Sequence, residues 1–268
     1  MARYKVNLAY DGTNFMGFQR QAKSARSRTV QQSVETALSR LGWQGKSILA
    51  AGRTDTGVHA TGQVVAFDLE WPHSTEELLS ALNAYLPQDI AAQAIEKVEA
   101  GFHPRYDAIA RRYRYFLFCQ PLRHPLRERY AWRVWPEVRF EMVQEAAQLL
   151  VGTHDFAAFG QPPGARGATL RQVFLAQWEH EADRFAFEIV ANAFLYRMVR
   201  RLVFCQVEIA QGKRPMELMT NSLRNVAIPM TKGLAPPQGL TLTEVIYSPL
   251  ELARITNLNI EVIGEMEQ

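Results

Sequence analysis

The chain has 268 residues, 47% of them hydrophobic, which is ample for a sizeable core and for two domains of ordinary size. Charged residues make up 21% and no long low-complexity tract occurs, which excludes a disordered chain; a net charge of +3 singles out no class of partner. Two cysteines and six scattered histidines, none at ligand spacing, argue against a metal site and point to a reduced, cytoplasmic chain with two buried thiols, Cys119 and Cys205.

The elements follow in chain order. "RYKVNLAY" alternates, with Tyr4, Val6, Leu8 and Tyr10 on one face, and reads as a half-buried strand rather than a signal peptide. After the turn "DGTNF" and the basic loop "KSARSR", Thr29 caps a helix whose stripe is Val30, Val34, Ala37, Leu38 and Leu41. "SILAAGRTDTGVH" is a short apolar run opening into a loop, and "GQVVAFDLE" is a strand. Ser74 and Glu77 form a capping box for a helix that ends at Pro87, and "AAQAIEKVEAGF" is the next strand. The order is β-α-β-β-α-β, the split βαβ unit.

From Arg105 the order repeats. "IARRYRYFLFCQ" is a strand, "FEMVQEAAQLLVG" a helix, and "FGQPPGARGATLR" a Gly/Pro loop. "QVFLAQWEHE" and "DRFAFEIVANAF" are two strands, "LYRMVRRLVFCQVEIAQG" a long helix, and "GLTLTEVIYS" the closing strand. This sets an N-terminal half at 1–104, a C-terminal half at 105–248, and a tail at 249–268 without assignment. No apolar run approaches the ~20 residues that span a bilayer.

The basic residues are mostly arginine: six are lysine, so 24 of 30 are arginine. Residues 105–139 hold nine arginines, no lysine and three acids, a surplus of six, with Tyr106, Tyr113, Tyr115, Tyr130, Trp132 and Trp135 between them. Guanidinium groups bind phosphate bidentately and stack on flat rings, so the block suits a nucleic acid. A solvated β-surface is the plainer alternative. Arg105, Arg111, Arg112, Arg166 and Arg171 are candidates for phosphate contact, as are Lys23, Arg26 and Arg28.

"AGRTDTGVHATGQVVAF" crowds Arg53, Asp55 and His59 into a small-residue loop. A polar turn is one reading, since Gly52 and Gly57 permit positive φ. Asp-Thr-Gly is also the aspartic-protease signature, but that chemistry needs two carboxylates sharing a proton, and an arginine alongside would ionise both. A lone nucleophilic carboxylate fits better: it must stay ionised while shielded, and a nearby arginine or backbone N–H donors favour that. His59 is a candidate general acid or an ordering group for the loop.

Several stretches occur in a fixed order: "AYDGTNFMGFQRQ", "TVQQSVETAL", "AGRTDTGVHATGQVVAF", "LPQDI", "FHPRYDAIARRYRYFLF", "GTHDFAAF", "ANAFLYRMVRRLV" and "GLAPPQGLTLTEVIY". The chain thereby resembles the tRNA pseudouridine(38-40) synthase A family from end to end except the tail. Departures are modest, such as "GFQ" for the usual Gly-Trp-Gln and "FHPRY" for Phe-His-Ala-Arg-Phe.

The resemblance implies an α+β fold of two ferredoxin-like halves sharing a central, mostly antiparallel sheet, with helices on one side and the active-site cleft between the halves. It implies a homodimer that cradles the tRNA anticodon stem-loop and isomerises uridine to pseudouridine, with no cofactor or metal. Asp55 falls on the catalytic aspartate, Arg200 on its basic partner, Tyr113 on the tyrosine that stacks on the target base, and Arg53 on the arginine that holds the nucleotide out of its stack. Whether Asp55 attacks carbon 6 of the base, attacks the ribose, or assists loss of a ribose proton stays open at this level. A non-catalytic RNA-binding module of paired ferredoxin-like halves is the alternative from another class.

Overall fold

The computed structural model describes residues 1–21, 28–162, 167–224 and 232–256. The first elements are β1 (Ala2–Tyr10), α1 (Val30–Arg40), β2 (Leu49–Ala50), β3 (His59–Leu69), α2 (Thr75–Tyr85) and β4 (Ile90–Val98). Then come β5 (Ala110–Cys119), β6 (Trp132–Val134), α3 (Phe140–Gln148), β7 (Gly152–Asp155), β8 (Leu170–Glu181) and β9 (Arg184–Ala191). The last are α4 (Met198–Ala210), α5 (Glu217–Arg224), β10 (Leu240–Ile246) and α6 (Pro249–Thr256). The fold class is α+β with mostly antiparallel strand pairing.

The chain divides into two compact units, Met1–Ile109 with Thr241–Tyr247, and Ala110–Leu240 with the residues from Ser248 on. In the first, β1 pairs antiparallel with both β3 and β4, and β2 pairs antiparallel with β3, giving the order β4-β1-β3-β2. The alternation of β1 buries Tyr4, Val6, Leu8 and Tyr10, as its pattern demands. Thr29 accepts the Gln32 N–H and starts α1, which buries Val30, Val34, Ala37 and Leu38. Ser74 and Glu77 close a reciprocal capping box on α2.

The closing strand belongs to the first unit, whereas chain order alone groups it with residues 105–248. Thr241 and Leu242 pair in parallel with His59 and Ala60 of β3. Ile109 donates to the Ile246 carbonyl at 2.9 Å, and the Tyr247 hydroxyl donates to the Pro104 carbonyl at 2.9 Å. An alternating pattern fixes which side chains are buried but not which strand is the neighbour.

In the second unit the antiparallel order is β5-β9-β8-β7, with β6 parallel on β5. Trp178, Phe187, Ile189 and Val190 of β8 and β9 are buried, as are Leu202, Val203 and Cys205 of α4. Cys205 is a free thiol whose burial pushes it up to about 11. Cys119, expected to be buried, is half-buried at the end of β5. The tail begins with α6, where Ser248 and Glu251 exchange capping bonds of 3.2 Å around Pro249. No helix among the described residues is long and apolar enough to cross a membrane.

Candidate active site

The Asp55 loop spans residues 51–58, between β2 and β3. Its entry stays laddered, because the Ala51 N–H donates to the Val64 carbonyl at 2.9 Å and the Gln63 amide donates to the Gly52 carbonyl at 3.1 Å. Its centre is clamped on both sides of the peptide. The Thr54 carbonyl accepts the Phe18 N–H at 3.0 Å, and the Thr54 hydroxyl lies 2.8 Å from the phenol oxygen of Tyr10. Asp55 then opens a tight turn in which its carbonyl accepts the Val58 N–H at 3.1 Å, with φ +76° at Gly57, as a type II turn requires at that place. The Gly57 N–H donates to the Phe15 carbonyl at 3.3 Å. Asp55 is thus half-buried on a backbone fixed by hydrogen bonds, while Arg53 and Thr56 are exposed.

The loop docks on residues 11–18, and two glycines there make the approach possible. A Cβ on Gly12 would collide with the Val58 carbonyl. Gly17 adopts φ +87°, and its Cβ would stand 2.9 Å from the Thr54 carbonyl oxygen. The Gly12 N–H donates to Nδ1 of His59 at 3.0 Å. The same Nδ1 lies 3.1 Å from the Asp11 carboxylate, a contact that would need a protonated ring. The Asp11 carboxylate also accepts from the N–H and hydroxyl of Thr13, so Asp11, Thr13 and His59 are gathered beneath the loop. His59 is buried and orders this turn.

In the second unit, Tyr113 lies in β5 opposite Ile189, nearly buried, with its ring edge-on to Phe194 at 5.0 Å. Arg200 is in the first turn of α4 and is 8% exposed, so it is not part of a solvated basic face. Its Nε donates to the Ala235 carbonyl at 2.8 Å. The periodicity of "LYRMVRRLV" puts Arg197, Arg200 and Arg201 on one helical face; instead α4 starts at Met198, and Arg197 precedes it with left-handed φ 63°. Three arginines at a helix N-terminus oppose the macrodipole, and a left-handed arginine stores strain; both costs are typical of functional positions.

The basic block of 105–139 is largely neutralised within its own unit. Arg112 donates to the buried Glu188 at 2.6 Å, and Arg114 pairs with Glu181. Arg127 pairs with Asp183 at 3.0 Å, and Arg133 with Glu128 at 3.3 Å. The acids come mainly from the β8–β9 hairpin, which a count along the local sequence does not include. Arg111 donates to the Asn192 carbonyl at 2.8 Å, and Arg171 to the carbonyls of Ala168 and Leu170. Arg105 lies in an exposed turn of the first unit, where His103 Nδ1 accepts its N–H at 3.1 Å. Arg53 makes no hydrogen bond or ion pair with the described residues. Arg28, bidentate to Asp89, is described; Lys23, Arg26 and Arg166 lie outside the described residues. No group of three or more metal-ligating side chains occurs among the described residues.

A family model described as tRNA pseudouridine synthase matches residues 8–107 and 146–248. The chain belongs to the tRNA pseudouridine synthase family. It shares 36% identity over 252 residues with tRNA pseudouridine synthase A of Limosilactobacillus fermentum, covering 92% of this chain and 96% of that one. The synthase A of Syntrophotalea carbinolica is 36% identical over 249 residues, covering 93% and 98%. That of Thermoanaerobacter pseudethanolicus is 35% identical over 247 residues, covering 92% and 100%. The chain is therefore a member of the synthase A group, which is an isomerase family. Arg53, Asp55, His59, Arg105 and Arg200 lie in the matched residues, and Arg111, Arg112 and Tyr113 in the interval between them.

What the sequence leaves unassigned is the support of the aspartate. Tyr10, Gly12, Gly17 and Phe18 all lie in "AYDGTNFMGFQRQ", where two glycines, two and seven residues beyond the strand, were the available signal. Ala235 of "GLAPPQGL" holds Arg200, and a proline pair beside a small residue was the only sign of a stiff segment there.

Proposed function

We propose that the protein converts uridine to pseudouridine at positions 38–40 of the tRNA anticodon stem-loop, with the Asp55 carboxylate as nucleophile. The observation that carries this reading is the clamped turn at Asp55. A half-exposed carboxylate is presented on a backbone held by Tyr10, Phe15, Phe18 and Val58, the pre-organisation that a nucleophile needs and that a surface turn does not. Within residues 1–109 the antiparallel order β4-β1-β3-β2 supports the ferredoxin-like reading of that half, to which β10 adds a parallel strand on β3.

In this reading Arg200 is the basic partner of Asp55, since a guanidinium beside a carboxylate favours its charged form. Tyr113 stacks on the target base, and Arg53, exposed and unengaged by the described residues, holds the nucleotide out of its stack. Extruding the base costs a few kcal/mol, of which stacking returns ~1–3 kcal/mol. The bond from the ribose to N1 breaks, the base turns, and a bond forms to carbon 5. Carbon 5 gives up its proton and the freed N1 gains one, so the reaction is redox-neutral and consumes nothing. His59 contributes by ordering the turn beneath the loop. Arg105, Arg111 and Arg166, with Arg112 in part, contact phosphate, and two copies of the chain embrace one another around the RNA.

The test is to incubate the protein with unmodified tRNA and map pseudouridine by chemical probing. Product at positions 38–40 is expected. Product confined to other positions, or none, would overturn the assignment.

A further inference from the structure

We propose that Tyr115 is a positioning residue for Arg200, acting through the backbone of Ala235 and Pro236. The inference rests on the role given to Arg200 above.

Three hydrogen bonds converge on two adjacent residues, Ala235 and Pro236. The Tyr115 hydroxyl donates to the Pro236 carbonyl at 2.9 Å. One residue earlier, Ala235 exchanges a pair of bonds with Arg200: its carbonyl accepts the arginine Nε–H at 2.8 Å, and its N–H donates to the Arg200 carbonyl at 3.1 Å. The segment between is stiff. Pro236 and Pro237 fix φ at two consecutive positions, and a residue before proline is confined to extended backbone. Pro236 sits at φ −55° and ψ 146°. A displacement of the Pro236 carbonyl is therefore transmitted to the Ala235 carbonyl instead of being absorbed by rotation.

That second carbonyl sets the plane of the guanidinium. A bond to Nε fixes the fork and leaves both terminal nitrogens to aim at other acceptors. Tyr115 is well placed to hold the first carbonyl. It is fully buried in β5, its ring lies edge-on to Trp132, and the absence of a side chain at Gly239 makes room for it, since a Cβ there would stand 2.6 Å from its ring. Burial keeps the phenol neutral and hence a donor across the physiological range, while the charge of Arg200 opposes that shift, as expected for a guanidinium close by.

The experiment compares Tyr115→Phe with the parent in two backgrounds, native and Arg200→Lys. It measures the single-turnover rate of pseudouridine formation, the tRNA Kd and the melting temperature. In the native background the rate should fall about tenfold with Kd within twofold, the loss of one hydrogen bond being felt in chemistry and not in binding. In the Arg200→Lys background, where no planar fork remains to be aimed, the same substitution should change the rate less than twofold. An equal loss in both backgrounds, or a parallel loss of affinity, would show a general structural role and overturn the inference. Gly239→Ala, which crowds the ring from the other side, should reproduce the split and carries the test if Tyr115→Phe fails to fold. A native rate in Arg200→Lys itself would overturn the role of Arg200 and this inference with it. A slow Arg200→Lys beside an unaffected Tyr115→Phe would overturn this inference alone.

Discussion

The phenol oxygen of Tyr10 lies 2.8 Å from the hydroxyl of Thr54, the residue before Asp55. Tyr10 is the last residue of β1, next to a register shift in its pairing with β3. A bulge at that point turns the strand end and its side chain toward the loop. The end of one strand and the approach to the next are thus joined by a buried bond, and the aspartate sits one peptide further on.

Burial pushes the Tyr10 phenol up to about 12, against opposing bonds from Thr54 and Gln63. A buried acid whose value is raised on folding stabilises the fold fully below its unfolded value near 10, and that contribution is lost as pH rises toward 12. The size is about 2–3 kcal/mol. Denaturant melts from pH 9 to 12 should show stability falling across this window. Tyr10→Phe should flatten the fall without abolishing it, because Tyr115 is shifted in the same direction.

Gly12→Ala should cost more than Gly17→Ala. At Gly12 the new methyl collides with the Val58 carbonyl, which is backbone and cannot swing away. At Gly17 the cost combines positive φ with a 2.9 Å approach to Thr54, together about 1–3 kcal/mol. Both variants should lose turnover by more than they lose tRNA affinity, read by single-turnover rates beside filter binding.

The two arginines Arg53 and Arg112 should part company. Arg53→Ala should leave the melting temperature unchanged and reduce the salt slope of tRNA binding by about one charge. Arg112→Ala strands the buried carboxylate of Glu188 and should cost about 2–3 kcal/mol, discounted for the exposed side of the pair. Adding Glu188→Gln should restore part of that stability. Equal melting temperatures for Arg112→Ala and the parent would return Arg112 to the set of pure phosphate contacts.

Much of this was legible along the chain because it is local. Thr29 and the Ser74–Glu77 box announce their helices, and β1 buries the residues its alternation names. The same signature at Ser248-Pro249-Leu250-Glu251 opens α6, but a helix of eight residues offers too little periodicity to stand out. β6 and β7 are too short for alternation to register. What could not be read is mainly non-local: that β10 pairs with β3, and that acids of the β8–β9 hairpin neutralise the arginines of β5; the left-handed backbone of Arg197 is local but not announced by its residue type. Asp55 was marked by its flanking residues, while the residues that hold it came from a different motif.

The most direct test is the rate of pseudouridine formation by Asp55→Asn on unmodified tRNA, with binding measured on the same samples. Asparagine keeps the shape and every backbone bond of the turn while removing the charge. Turnover should vanish with tRNA affinity nearly intact. Substantial residual product from the properly folded variant would contradict the nucleophile assignment.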